Sequence, residues 1–289
     1  MIKFEKKILI ATGGTGGHVF PAYSLAKYFI KNKKSVEIIT DKRGFKFLKN
    51  YKDVKLKIIK SATVFKKNPI GIIISLIQII FALINSLIFL IKSKPRIVFG
   101  MGGYSSFPIC IAAKLLKIPF IIYENNLVIG KANRFLLPFS NKIFVSYAQV
   151  EGIKKKHQDK MIEIGNIIRE EVINFSKNIR QPNQAEISIL ILGGSQAAKS
   201  FAEILPEIFG KCIELGLKLK IYQQCLIEQK EELNKKYKSM NIEFELFNFS
   251  HNLLNYFSKI DLAITRSGSS ILAELLNCKI PFISIPFPY

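Results

Sequence analysis

Short apolar runs of four to seven residues alternate along the chain with longer stretches whose apolar positions recur at helical spacing. The short runs are KILIAT, SVEIIT, RIVFG, FIIYE and KIFVS, followed by ISILILGG, LKIYQQ, DLAIT and PFISIP. Strands apolar at consecutive positions are buried on both faces, as in a parallel sheet covered by helices. The alternation therefore predicts βαβ units. It starts twice, because KKILIATGGTGG near residue 6 and EISILILGGSQAA near residue 186 each run a strand into a diglycine turn ahead of a helix. Between them, residues 163–185 turn polar and include Pro182, as a linker does. The expected fold class is α/β, with two Rossmann-like, doubly wound parallel sheets in domains 1–165 and 166–289.

One segment breaks the rhythm. Pro69 to Ile91 is a stretch of 23 residues without a charge, flanked by Lys66, Lys67, Lys92 and Lys94, and long enough to span a bilayer. The strands before and after it belong to one α/β pattern and cannot lie on opposite sides of a membrane. Ser75, Gln78, Ala82 and Asn85 fall at spacings of three and four, which predicts one less apolar stripe on an interfacial helix. An ordinary buried helix is the alternative.

Composition adds charge to this picture. The formal net charge is +22, and lysines outnumber arginines 37 to 6. Scattered lysines without an RNA- or DNA-binding motif exclude a nucleic-acid partner and leave a solvated surface or one suited to anionic lipid. Cys110, Cys212, Cys225 and Cys278 lie far apart, with neither zinc-ligand spacing nor a disulfide framework. The five-residue apolar run at the N-terminus is too short for a signal-peptide core, so a cytoplasmic location is expected.

Candidate chemistry sits where strands meet glycines. Thr12 to Pro21 (TGGTGGHVFP) opens a helix with small residues, which lets backbone N–H groups approach a phosphate or sugar. A dinucleotide-type GxGxxG fails at Val19, although Asp41 ends the next strand where a ribose-binding acid would stand. His18 follows the glycines and is a candidate proton acceptor, or else a helix-start residue with a structural hydrogen bond. Gly100 to Pro108 (GMGGYSSFP) repeats the device and is expected to line the same crevice. Tyr123 to Arg134 (YENNLVIGKANR) puts Glu124, Asn125 and Asn126 at another strand end. Arg266 to Glu274 (RSGSSILAE) offers Ser267 to Ser270 to an anion at a helix N-terminus and Glu274 to ribose hydroxyls, with an ordinary N-cap and a structural glutamate as the alternative.

Taken in order, GGTGGHVFPA, GMGGYSSFP, YENNLVIGKANR, GNIIR, GGSQAA, RSGSSILAE and PFISIPFPY resemble the MurG family, the peptidoglycan N-acetylglucosaminyltransferases of GT-B fold, across essentially the whole chain. The resemblance implies two domains facing a cleft and transfer of GlcNAc from UDP-GlcNAc to a polyprenyl-diphosphate-linked muramyl-pentapeptide at the cytoplasmic face of the inner membrane. It implies that the first domain binds the lipid acceptor and the membrane surface, and the second binds the donor. The uracil and ribose would be held around Ser250 and the segment Ser269, Ser270, Ile271, Leu272, Ala273 and Glu274, with Ser195 meeting the pyrophosphate. Thr15, Gly16 and Gly17 would close over the donor, Asn126 would lie near the GlcNAc, and Arg169 would reach the donor from the domain junction. The implied reaction is an inverting displacement with His18 as first candidate base and Glu124 as second. Helix N-termini with Arg169 or Arg266 would stabilise the leaving diphosphate. No DxD motif is present, so neither a metal nor another cofactor is expected.

The family continues beyond the position of Tyr289 into a donor-binding loop and further helices. A second domain of about 120 residues is therefore expected to be incomplete, since α/β halves of this kind are comparable in size. The alternative function is a non-catalytic or partner-dependent, membrane-associated nucleotide-sugar-binding fragment. An NAD-dependent oxidoreductase built on Asp41 is a third reading.

Overall fold

The computed structural model describes residues 7–59, 69–175, 186–248, 250 and 252–286. They form two compact units, Met1–Arg169 and Glu170–Tyr289. Pro182 of the expected linker, and Lys66 and Lys67 before the long apolar segment, lie outside the described residues.

The first unit runs β1 (Ile8–Ala11), α1 (Gly16–Lys31), β2 (Val36–Thr40), α2 (Lys42–Leu48), β3 (Lys55–Ile58), α3 (Pro69–Ser93), β4 (Ile97–Gly100), α4 (Ser106–Leu115), β5 (Phe120–Glu124), α5 (Lys131–Leu136), β6 (Lys142–Val145) and β7 (Met161–Glu163). Its strands form one parallel sheet in the order β3-β2-β1-β4-β5-β6-β7. Alternate residues of each central strand enter different cores. Leu9, Ala11, Val98 and Ile122 pack on one side, and Ile10, Phe99 and Tyr123 on the other. This two-sided burial is why the strands read as unbroken apolar runs.

The second unit contains α6 (Glu170–Ile173), β8 (Ile187–Leu192), α7 (Gly194–Glu214), β9 (Leu219–Gln224), α8 (Lys230–Ser239), β10 (Glu243–Phe247), α9 (Leu254–Phe257), β11 (Leu262–Arg266), α10 (Ser269–Asn277) and β12 (Phe282–Ile285). Its sheet is parallel too, in the order β10-β9-β8-β11-β12. Each sheet therefore has a switch point, between β1 and β4 in the first unit and between β8 and β11 in the second. Such switch points open a crevice beyond the carboxyl ends of the strands.

Helix α3 is the crossover from β3 to β4 and packs on α4. Its small residues face inward, with Ser75, Ala82 and Ser86 buried beside Leu90. Ser86 satisfies its hydroxyl within the helix by donating to the Ala82 carbonyl at 2.6 Å. Ile73, Ile74, Ile77, Ile80, Phe81, Ile84, Ile88 and Ile91 are exposed at helical spacing. The expected stripe of Ser75, Gln78, Ala82 and Asn85 is thus divided, since Gln78 and Asn85 are exposed. The inward face combines these small side chains with Leu90 and the partly buried Leu83, Leu87 and Phe89, and those isoleucines and Phe81 are left outside. An ordinary buried helix does not describe it.

Candidate active site

In the first unit two glycine turns meet at the switch point. The turn after β1 is held by Asp41, whose Oδ1 accepts from Gly14 N at 3.2 Å and from Gly44 N at 2.7 Å, the second bond capping α2. Arg43 pairs with the same carboxylate at 3.2 Å. Asp41 is thereby committed to the glycine turn and to the start of α2, which removes the basis of the dinucleotide reading. Thr15 is the exposed residue preceding α1, and Gly16, Gly17 and His18 form the first turn of that helix.

The second turn follows β4. Gly102 and Gly103 have φ of +87° and +77°, a left-handed backbone that strains any other residue. A Cβ on Gly102 would come within 2.7 Å of His18 Nδ1, and one on Gly103 within 2.7 Å of the Gly13 carbonyl oxygen. The two glycine turns thus approach to backbone contact, and the His18 ring lies against the second.

Burial pushes the His18 imidazole below its ordinary pKa, against the opposing effects of the Glu124 carboxylate and a hydrogen bond to the Met101 backbone. The ring is therefore neutral at neutral pH. With a hydrogen bond to the Met101 backbone, the neutral ring keeps one nitrogen as an acceptor.

Glu124 ends β5 and is buried. Its Oε1 accepts from Asn126 N at 3.1 Å and Asn126 Nδ2 at 2.8 Å, and its Oε2 from Gly130 N and Asn133 Nδ2, each at 2.9 Å. Four donors occupy the two carboxylate oxygens. This arrangement suits Glu124 to shaping the 125–133 loop better than to taking up a proton. Asn126 is exposed at the tip of that loop, and Asn125 Nδ2 donates back to the Gly17 carbonyl at 3.1 Å. The structure thus brings His18, Gly16, Gly17, Glu124 and Asn126 to one edge of the sheet. Arg169, the last residue of the unit, places its guanidinium 5.7 Å from the Phe20 ring centroid on the same α1.

In the second unit α7 and α10 begin at the carboxyl ends of the adjacent strands β8 and β11. Ser269 and Ser270 open α10, Ile271 and Leu272 follow half-buried, and Ala273 and Glu274 are buried. Ser250 follows β10 at the same edge of the sheet, and its Oγ accepts from Asn252 N at 3.3 Å. The Ser195 side chain lies outside the described residues. Arg266 is held within its unit by the Pro286 carbonyl at 2.7 Å, by Ser200 Oγ at 2.8 Å and by the Phe201 ring at 4.6 Å. It braces the ends of β11 and β12 against α7, and a ligand anion would have to displace those contacts. Among the described residues no group of three or more His, Cys, Asp or Glu side chains is arranged to hold a metal ion.

Residues 8–145 match the N-terminal domain of glycosyltransferase family 28, and residues 188–289 its C-terminal domain. The chain belongs to glycosyltransferase family 28. Within that family it falls with the MurG group. It is 38% identical over 286 residues to a protein of Pelagibacter ubique (strain HTCC1062) named UDP-N-acetylglucosamine--N-acetylmuramyl-(pentapeptide) pyrophosphoryl-undecaprenol N-acetylglucosamine transferase, covering 98% of this chain and 78% of that protein. A Rickettsia bellii (strain RML369-C) protein of the same name is 33% identical, covering 98% of this chain and 79% of its own. The crystal structure of Acinetobacter baumannii MurG superposes with a TM-score of 0.73 at 24% identity, covering 98% of this chain and 78% of that one. Anabaena HepE, solved with UDP and glucose, superposes at 0.61 with 11% identity over 96% of this chain and 80% of its own, a likeness of fold. The two doubly wound parallel sheets are those of a GT-B glycosyltransferase.

Two supporting residues carry no signal of their own in the sequence. Asn133 donates to the Tyr123 carbonyl and to Glu124, and the Tyr123 hydroxyl reaches Ser146 and residues 165–167. Both are buried within YENNLVIGKANR, Tyr123 on β5 and Asn133 on α5.

Proposed function

We propose that this chain is an inverting glycosyltransferase that moves GlcNAc from UDP-GlcNAc to the muramyl-pentapeptide of an undecaprenyl-diphosphate lipid in peptidoglycan synthesis. The observation that carries the proposal is the match to relatives of that name over 98% of this chain and 78–79% of theirs. His18 then has a defined task. Its neutral ring accepts the proton of the acceptor hydroxyl as that oxygen attacks the anomeric carbon, the bond to UDP breaks, and the diphosphate leaves as an anion. Glu124 keeps the loop bearing Asn126 in place, and Asn126 contacts the sugar. Thr15, Gly16 and Gly17 serve the donor from the first unit, with Arg169 offering its guanidinium to the diphosphate. In the second unit Ser195, Ser250 and the Ser269 to Glu274 segment take the UDP moiety, the serines at the start of α10 presenting backbone N–H groups to negative charge.

The outward face of α3 docks the first unit on the cytoplasmic leaflet. By length and composition this helix is apolar enough to cross a membrane, but it is the crossover between two strands of one sheet and lies flat instead. Exposed Lys92, Lys94, Lys114 and Lys117 stand at the carboxyl ends of α3 and α4 and suit anionic lipid. The acceptor's polyprenyl chain lies in the same bilayer.

Donor discrimination tests the reaction. Label should pass to a lipid-linked muramyl-pentapeptide from UDP-GlcNAc and far more slowly from UDP-glucose. Binding of UDP without any transfer would favour the non-catalytic alternative.

A further inference from the structure

Tyr123, the penultimate residue of β5, is buried with its ring in the core beside Ile10 and Val19. Its hydroxyl has a separate role. The oxygen accepts from Ile167 N at 3.0 Å, lies 2.9 Å from Ser146 Oγ, and reaches the Gly165 carbonyl at 3.4 Å. Between these two residues, Asn166 donates from Nδ2 to the Tyr147 hydroxyl at 3.2 Å. Three consecutive residues of the segment leaving β7 are thus fastened to the carboxyl ends of β5 and β6. Gly165 turns that segment with φ of +75°. Two residues beyond Ile167 stands Arg169, its guanidinium over the Phe20 ring on the helix that carries His18.

We infer that Tyr123 is a positioning residue, whose hydroxyl fixes the backbone from Gly165 to Ile167 and so sets where Arg169 presents its guanidinium. A tyrosine serving only the core would need its ring alone. Here burial raises the hydroxyl pKa, so the group stays protonated and can donate its one hydrogen while accepting from Ile167. A phenylalanine would fill the same space and leave the Ile167 N–H without this acceptor. The effect on catalysis rests on Arg169 as a donor-binding residue. The tether itself does not depend on that role.

The test uses the 289-residue chain, with Tyr123→Phe, Ser146→Ala, Arg169→Ala and the Tyr123→Phe/Arg169→Ala pair. Amide exchange at Ile167 should accelerate about tenfold in Tyr123→Phe while the amides of β1 and β5 keep their protection. The KM for UDP-GlcNAc should rise by about fivefold with kcat nearly unchanged, Ser146→Ala should move both in the same direction by less, and the double variant should be no worse than Arg169→Ala alone. Unchanged exchange at Ile167 in Tyr123→Phe overturns the tether whatever the activity shows. An unchanged donor KM in Tyr123→Phe, beside a raised one in Arg169→Ala, overturns the coupling to Arg169. If Arg169→Ala leaves the donor KM unmoved, the donor role of Arg169 falls and the coupling with it, and exchange at Ile167 judges the tether independently.

Discussion

The Asn125 side-chain amide donates to the Gly17 carbonyl oxygen at the place in α1 where the Pro21 nitrogen has no hydrogen to give. In a regular helix the carbonyl of residue 17 accepts from the N–H of residue 21, and proline removes that donor. Asn125, brought from the end of β5, supplies a replacement and ties the loop after β5 to the turn that carries His18. Asn125→Ala should cost about 1–2 kcal/mol of stability. Adding Pro21→Ala should recover part of it, because the helix regains its own donor. Thermal unfolding of the single and double variants checks both signs.

Glu124 and His18 should separate in their behaviour. In Glu124→Gln one oxygen becomes an NH₂ group facing donors that the carboxylate accepted, so a loss of about 1–3 kcal/mol in stability is expected together with a fall in kcat. If Glu124 were instead the base, its replacement would abolish turnover and leave the unfolding temperature close to that of the parent.

The depressed pKa of His18 fixes the direction of a pH effect. The folded chain holds the neutral imidazole, whereas the unfolded chain titrates near 6.5. Stability contributed by this group is complete above the unfolded value and falls as pH drops below it, because the unfolded state takes up the proton first. The acid limb of kcat/KM, set by the same group, should lie below 6.5. A limb on the alkaline side of that value in the free enzyme would contradict the assignment.

How much of this was legible in the sequence depends on where each strand lies. The nine apolar runs are all strands of the two sheets; in the central strands burial on both faces writes a mostly apolar string, whereas β12 (FISI) is an apolar edge strand that is only partly buried. The strands β3 (KLKI), β7 (MIE) and β10 (EFELF) gave no such string. Each is an edge strand, exposed at several positions, where charge is tolerated and even protects against pairing with another chain. The glycine turns and His18 were legible because their chemistry is local. The bonds of Asp41 to Gly14, of Asn125 to Gly17 and of Tyr123 to Ile167 join residues 27, 108 and 44 positions apart, a pairing that no local pattern encodes.

Membrane docking should respond to one charge on the outward face of α3. Phe81→Glu and Ile84→Glu replace exposed side chains, so folding should be unaffected while flotation with vesicles containing anionic lipid falls by about tenfold or more. Leu90→Glu, at a buried position of the same helix, should unfold the first unit instead. Equal flotation of the parent and the two surface variants would remove the docking role.

Chelation should leave the reaction alone. The sequence has no DxD motif, and guanidinium and helix N-termini are proposed to meet the diphosphate. Transfer rates with and without EDTA should agree, and restoration of a lost rate by a divalent cation would show that a metal takes that place.

The most direct measurement is transfer of radiolabelled GlcNAc from UDP-GlcNAc to the lipid-linked muramyl-pentapeptide by this chain and by its His18→Ala variant. The parent should form labelled lipid product, and the variant should bind UDP as tightly while turning over at least about a hundredfold more slowly. No product from a parent chain that binds UDP, or undiminished turnover in the variant, would contradict a transferase with His18 as its base.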